Sequence, residues 1–151
     1  MYDIILVPLD GSKRAETIIN HVAELAQKFN SKLVLLTVIE PKLLRENVGM
    51  AAASMGNFRS PDEETKNAEA YLAHMQQELI QNHIQTETRI IPGLPVAVIK
   101  ETAEQENADL IAIASHGRGG LARVFYGGVA AAILSQVDRP LLLIRSQDIK
   151  E

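Results

Sequence analysis

The run Ala114-Ser115-His116-Gly117, followed by nine residues and then Gly127-Gly128, stands directly after the apolar stretch Leu110 to Ala114. That order reads as a strand end, a glycine-rich loop and the start of a helix. Backbone N–H groups left free at a helix N-terminus, together with its positive dipole end, attract anions, and glycine permits close backbone approach. The chemistry on offer is phosphate binding. Arg118 and Arg123 flank the loop and could neutralise phosphates through bidentate contacts, although solvated loop arginines are just as common. His116 invites an acid–base reading, because imidazole titrates near neutral pH. No partner carboxylate or nucleophile is specified around it, so a loop-shaping or solvent-facing role is the expectation. Asp10, before Gly11, could accept a hydrogen bond from a nucleoside or help hold a divalent ion through water; its plainer reading is a turn residue. Lys13 and Arg14 open the following helix, an unfavourable place for cations unless something anionic lies nearby.

The elements that must position these residues follow from the apolar pattern. Asp3 to Leu9, Lys32 to Ile39 and Leu110 to Ala114 are short aliphatic runs without clean alternation, as expected of strands covered on both faces of a parallel sheet. Between the first two, Ile18, Ile19, Val22, Leu25, Ala26 and Phe29 recur at helical spacing behind Ser12, a fitting N-cap. Ser60-Pro61-Asp62-Glu63 joins a capping serine, a proline at the first helical position and a glutamate three residues on, so a second long helix starts there and runs to about Asn82. Thr86 to Ile91 alternates as a strand nearer the edge, and Pro92-Gly93-Leu94-Pro95 turns into a helix through about Glu106. A fourth helix begins near Gly128 and ends before Asp138; Arg139-Pro140 breaks it, and Leu141 to Ile144 is the last strand.

Alternating strands and helices predict an α/β fold: a doubly wound, five-stranded parallel sheet in the order 3-2-1-4-5, with four helices on both faces. In such sheets ligands bind outside the carboxyl ends of the strands where the order reverses, here between strands 1 and 4. Those ends carry Asp10 and Ala114. Pro41 to Arg59 is long for a connection and contains small residues, so it is either a lid or partly disordered.

With 151 residues the chain is most simply one domain, 1–151. It has no cysteine, which removes disulfides, thiolate metal sites and a cysteine nucleophile. His21, His74 and His83 lie on or at the end of helices without metal-ligand spacing, so surface positions are expected and no metal site is assigned. No apolar stretch approaches the ~20 residues that span a bilayer, and Met1-Tyr2-Asp3 opens straight into a strand pattern. A soluble, cytoplasmic protein is expected. A net charge of −4 and an aromatic content of 4% argue against a charge-driven or stacking grip on nucleic acid.

Val-Pro-Leu-Asp-Gly-Ser at residues 7–12, together with Ser-His-Gly-Arg-Gly-Gly-Leu at 115–121, resembles the universal stress protein family over nearly the whole chain. The resemblance implies an adenine-nucleotide module binding ATP or AMP, with magnesium as an optional companion. It places Asp10 against adenosine and Pro8 and Val38 beside the adenine. The family's signature in ATP-binding members reads Gly-x-x-Gly, nine residues, Gly, then Ser or Thr. Gly117 and Gly127 match it; Ala114 and Gly128 depart from it. The implied phosphate loop thus comprises Ala114, Gly117, Arg118, Gly127, Gly128 and Val129. A hydrogen bond to a charged group is worth roughly 1.5–3 kcal/mol, about ten- to a hundredfold in affinity, so the lost hydroxyl at 128 need not abolish binding. Ala114 adds a methyl group that could crowd a ribose.

Three functions compete: a nucleotide-binding module acting by conformation or assembly; a dimeric scaffold that has lost the nucleotide, favoured by Ala114 and Gly128; and a slow ATPase. The last lacks a Walker motif or any base–nucleophile pair, so no catalytic residue is named. The apolar last strand, 141–145, would present a flat edge, which proteins usually pair or protect. An antiparallel homodimer through it is expected, and the family resemblance implies the same.

Overall fold

The computed structural model describes residues 1–41, 60–115 and 128–145. Among them, the elements in chain order are β1 (Ile4–Pro8), α1 (Lys13–Phe29), β2 (Lys32–Ile39), α2 (Pro61–Gln81), β3 (Thr86–Pro92), α3 (Pro95–Gln105), β4 (Leu110–Ala114), α4 (Gly128–Gln136) and β5 (Leu141–Ile144). The strands form one sheet in the order β3-β2-β1-β4-β5, all parallel, as the sequence predicts. The segment 42–59, read above as lid or loop, lies outside the described residues.

Strand alternation sorts the apolar side chains into two layers. Ile5, Val7, Leu33, Leu35, Leu110 and Ala112 pack with Ile18 and Val22 of α1 and Leu72 and Leu79 of α2. Leu6, Val34, Leu36, Ile111 and Ile113 pack on the opposite face with Val98 and Ile99 of α3 and Ala130 and Ile133 of α4. Both faces are covered, which is why the central strands read as unbroken aliphatic runs.

The helix starts follow their sequence signals. Ser12 Oγ accepts from the Ala15 N–H at 3.1 Å. Ser60 forms a full capping box: its Oγ accepts from Glu63 N at 3.3 Å while Glu63 Oε2 accepts from Ser60 N at 3.2 Å. Helix α1 closes on Asn30, in the left-handed conformation at φ 55°.

Polar locks complete the frame. Asp109 Oδ2 accepts from both Asp3 N (2.8 Å) and Ile4 N (2.9 Å), fixing the start of β1 beside that of β4. Arg139 Nη1 donates to Ala103 O (2.8 Å) and Ala108 O (3.1 Å), meeting carbonyls at and beyond the end of α3. Arg89 donates to Glu87 at 2.7 Å and to Glu106 at 2.8 Å, and Lys32 faces the same two carboxylates. The Arg89 and Lys32 hydrogen bonds hold the Glu87 carboxyl below its usual range.

Candidate functional site

The order β2-β1-β4 marks the place where the winding reverses, and the carboxyl ends of β1 and β4, at Pro8 and Ala114, border it. The end of β1 is tied down by Leu9, whose N–H donates to Leu36 O at 2.8 Å and whose carbonyl accepts from Thr37 Oγ1 at 3.0 Å. The chain then turns sharply. Asp10 Oδ1 accepts from Ser12 N at 2.9 Å, and Gly11 takes φ +82°, a backbone conformation that suits glycine. Asp10 is therefore a turn residue, as its plainer reading held, and it is also half-buried just beyond the carboxyl end of β1.

Pro8 is half-buried at the last position of β1, opposite Leu36. Val38 is half-buried too, but it packs against the core layer shared by α3 and α4, so part of its role is structural. Ala114 is buried at the end of β4, opposite Ile144. The next residue, Ser115, prolongs the ladder by donating its N–H to Ile144 O at 2.8 Å. Gly128 is the exposed first residue of α4, and Val129 behind it packs on the α3/α4 layer. A Cβ at Gly128 would meet nothing within 4 Å, so the space for a larger residue is open. Gly117, Arg118 and Gly127, with His116 and Arg123, lie outside the described residues.

Pro8 and Ala114 thus end the adjacent strands β1 and β4, Asp10 follows the first of them, and Gly128 opens the helix that comes after β4 in the chain. Among the described residues no three His, Cys, Asp or Glu side chains lie together as a metal cluster would. His21 and His83 are exposed, and His74 is an exposed partner of Glu78 at 3.6 Å. No described helix is long and apolar enough to cross a membrane.

One residue of the α1/α2 layer escaped the sequence reading. Tyr71 of α2 extends its ring into the α1/α2 layer, and its hydroxyl meets the electrostatic influence of Glu16 and Asp10. The available signal was its place beside the buried stripe Ala68, Leu72, Met75 and Leu79.

The chain matches the universal stress protein family over residues 1–145. It is 25% identical to a universal stress protein of Methanocaldococcus jannaschii, over 98% of each chain. The solved structure of that archaeal protein superposes with a TM-score of 0.81 at 24% identity, covering 98% of this chain and 99% of the other. Similar folds are those of a universal stress protein in complex with cAMP (TM-score 0.68, 20% identity, 97% and 98% covered) and one from Archaeoglobus fulgidus in complex with dAMP (0.68, 18%, 96% and 98%). A doubly wound sheet in this order, with a turn carboxylate just beyond β1 at its reversal point, is thus joined to a match that spans almost every residue: the chain belongs to the universal stress protein family.

Proposed function

We propose that this protein is an adenine-nucleotide-binding module of the stress response, holding ATP or AMP in the crevice between β1 and β4 and acting through conformation or dimer assembly. The observation that carries the reading is the Asp10 turn standing with the ends of β1 and β4 at the point where the sheet reverses direction. The relatives solved with cAMP and dAMP support it, because both ligands combine adenine, a sugar and one phosphate. In this reading Pro8 and Val38 flank the base and Asp10 accepts from the nucleoside. Ala114, Gly117, Arg118, Gly127, Gly128 and Val129 form the phosphate side. Magnesium, where present, accompanies the phosphates. Residues 1–151 work as one such domain in the cytoplasm, without catalysis or with at most a slow ATPase, and with neither nucleic acid nor membrane as partner.

The reading is tested by purifying the protein without added ligand, denaturing it and identifying released nucleotide by mass spectrometry. Stoichiometric AMP or ATP supports it. An empty protein that also ignores millimolar ATP with magnesium favours the scaffold alternative, for which Ala114 and Gly128 are the grounds.

Gly128→Ser is expected to strengthen ATP binding about tenfold, since a hydroxyl there adds a hydrogen bond to a charged group and finds open space. Calorimetry showing equal or weaker affinity would remove the phosphates from this helix start.

The homodimer is proposed to form through β5. Its ladder bonds to β4 fall on the carbonyls of Pro140 and Ile144, so by alternation the main-chain groups of Leu141 and Leu143 face away from β4. Leu142 and Ile144 pack on the α1/α2 layer, which makes lysine at those positions a threat to the fold as well as to the edge. Leu143→Pro removes an outward donor and spares the β4 ladder. Sedimentation is expected to shift from dimer to monomer; an unchanged dimer would locate the interface elsewhere.

A further inference from the structure

The ladder between β1 and β4 holds pairs at Ile5–Leu110 and Leu6–Ile111 and then stops, although β1 stays paired with β2 as far as Pro8 and β4 with β5 as far as Ala114. Over their last residues the two strands pair with their other neighbours and no longer with each other. A crevice between carboxyl ends that have parted in this way is where doubly wound sheets take their ligands. Asp10 follows β1 and Ser115 follows β4, equally far beyond the last shared pair.

Ser115 is 1% exposed, and its Oγ finds no hydrogen-bond partner among the described residues. The backbone fixes which face it belongs to. Its N–H donates to Ile144 O at 2.8 Å, which carries the β4–β5 ladder one step past Ala114. Side chains alternate along that extended run, and Ile111 and Ile113 both pack on the α3/α4 layer, so Ser115 falls on the same face. Leu6 and Val38 belong to that layer too, and Pro8 follows Leu6 in the same alternation. Because β4 and β5 are parallel, α4 must run back against them, which sets its start, Gly128, at the carboxyl end of the sheet. A buried donor and a helix start with unbonded N–H groups thus share one face and one end of the sheet.

Burying a hydroxyl without a partner costs free energy, and alanine would fill the position without that cost. The fold alone therefore gives no reason for the oxygen, whereas an anion held in the crevice does. A phosphate oxygen only accepts, the serine O–H donates, and a hydrogen bond to a charged acceptor away from water is among the stronger kinds.

We propose that Ser115 is a phosphate-binding residue of the crevice, its hydroxyl donating to the phosphate that follows the sugar. The inference rests on the nucleotide reading above and adds to it a side chain that tells a nucleotide from a nucleoside. Asp10, on the β1 side, serves the nucleoside; Ser115, on the β4 side, serves the phosphate.

The test is Ser115→Ala in the full chain, stripped of nucleotide and titrated calorimetrically with AMP and with adenosine, alongside thermal unfolding. AMP binding is expected to weaken about ten- to a hundredfold, the range for a hydrogen bond to a charged group, while adenosine binding is unchanged. The melting temperature is expected to stay level or rise, since an unpartnered buried hydroxyl has gone. Equal AMP affinity in wild type and Ser115→Ala overturns the assignment and leaves nucleotide binding standing. An equal loss for AMP and adenosine also overturns it, because the hydroxyl would then serve the nucleoside or the strand end. The phosphorus NMR resonance of bound AMP, at saturation, reads the contact without adenosine: it is expected to move in the variant, and the same chemical shift in both proteins overturns the assignment. A wild-type protein that binds neither AMP nor ATP overturns the nucleotide reading itself, and this inference with it.

Discussion

Asp10→Ala is expected to weaken AMP binding by about ten- to a hundredfold, the range for a hydrogen bond to a charged group. The carboxylate has two jobs that the substitution removes together. One is local: Oδ1 accepts from Ser12 N at 2.9 Å and shapes the turn into α1. Loss of that turn hydrogen bond costs roughly 1 kcal/mol, so the variant should still fold. The other is the proposed acceptance of a hydrogen bond from the nucleoside. Asp10→Asn separates the two, since the amide oxygen can still serve Ser12 while the charge is gone. Calorimetry on both variants, with chemical denaturation as the control for folding, is the check. Undiminished AMP affinity in folded Asp10→Ala would remove this carboxylate from the site.

Gly93→Ala should cost about 2–4 kcal/mol of folding stability, combining backbone strain with overpacking. Gly93 holds φ +148°, where an L side chain is strained in any surroundings. The added methyl would also stand 2.7 Å from Val98 Cγ2, and Val98 is itself buried in the α3/α4 layer. The turn cannot simply move aside, because Gly93 N donates to Ile39 O at 3.0 Å and ties the end of β3 to the end of β2. Urea denaturation measures the effect directly. A loss below about 1 kcal/mol would mean that the β3–α3 turn is not built in this way.

The fold was legible because its signals are local and agree with one another. Aliphatic runs at Ile4–Pro8, Lys32–Ile39 and Leu110–Ala114 announce strands covered on both faces, and Ser12 and Ser60 announce the helices that cover them. Long-range partnerships left no such trace. Arg139 reads in sequence as part of a helix-breaking Arg-Pro pair, yet its guanidinium bridges Ala103 O and Ala108 O. Asp109 reads as a loop residue, yet it gathers two N–H groups from the start of β1. Tyr71 of α2 comes under the influence of Glu16 of α1 only because both helices cover the same face of the sheet. At the site, the residue types of Asp10 and Gly128 pointed to ligand chemistry by themselves. Pro8 and Val38 did so only through the family resemblance, since an apolar residue at a strand end carries no chemical signal of its own.

The central claim is met most directly by calorimetric titration of the nucleotide-stripped protein with AMP and with ATP plus magnesium. One saturable site per chain, weakened by Asp10→Ala and strengthened for ATP by Gly128→Ser, is the predicted result. No heat of binding at millimolar nucleotide, from a protein that is folded and was purified empty, would contradict the account and leave the crevice between β1 and β4 without its proposed ligand.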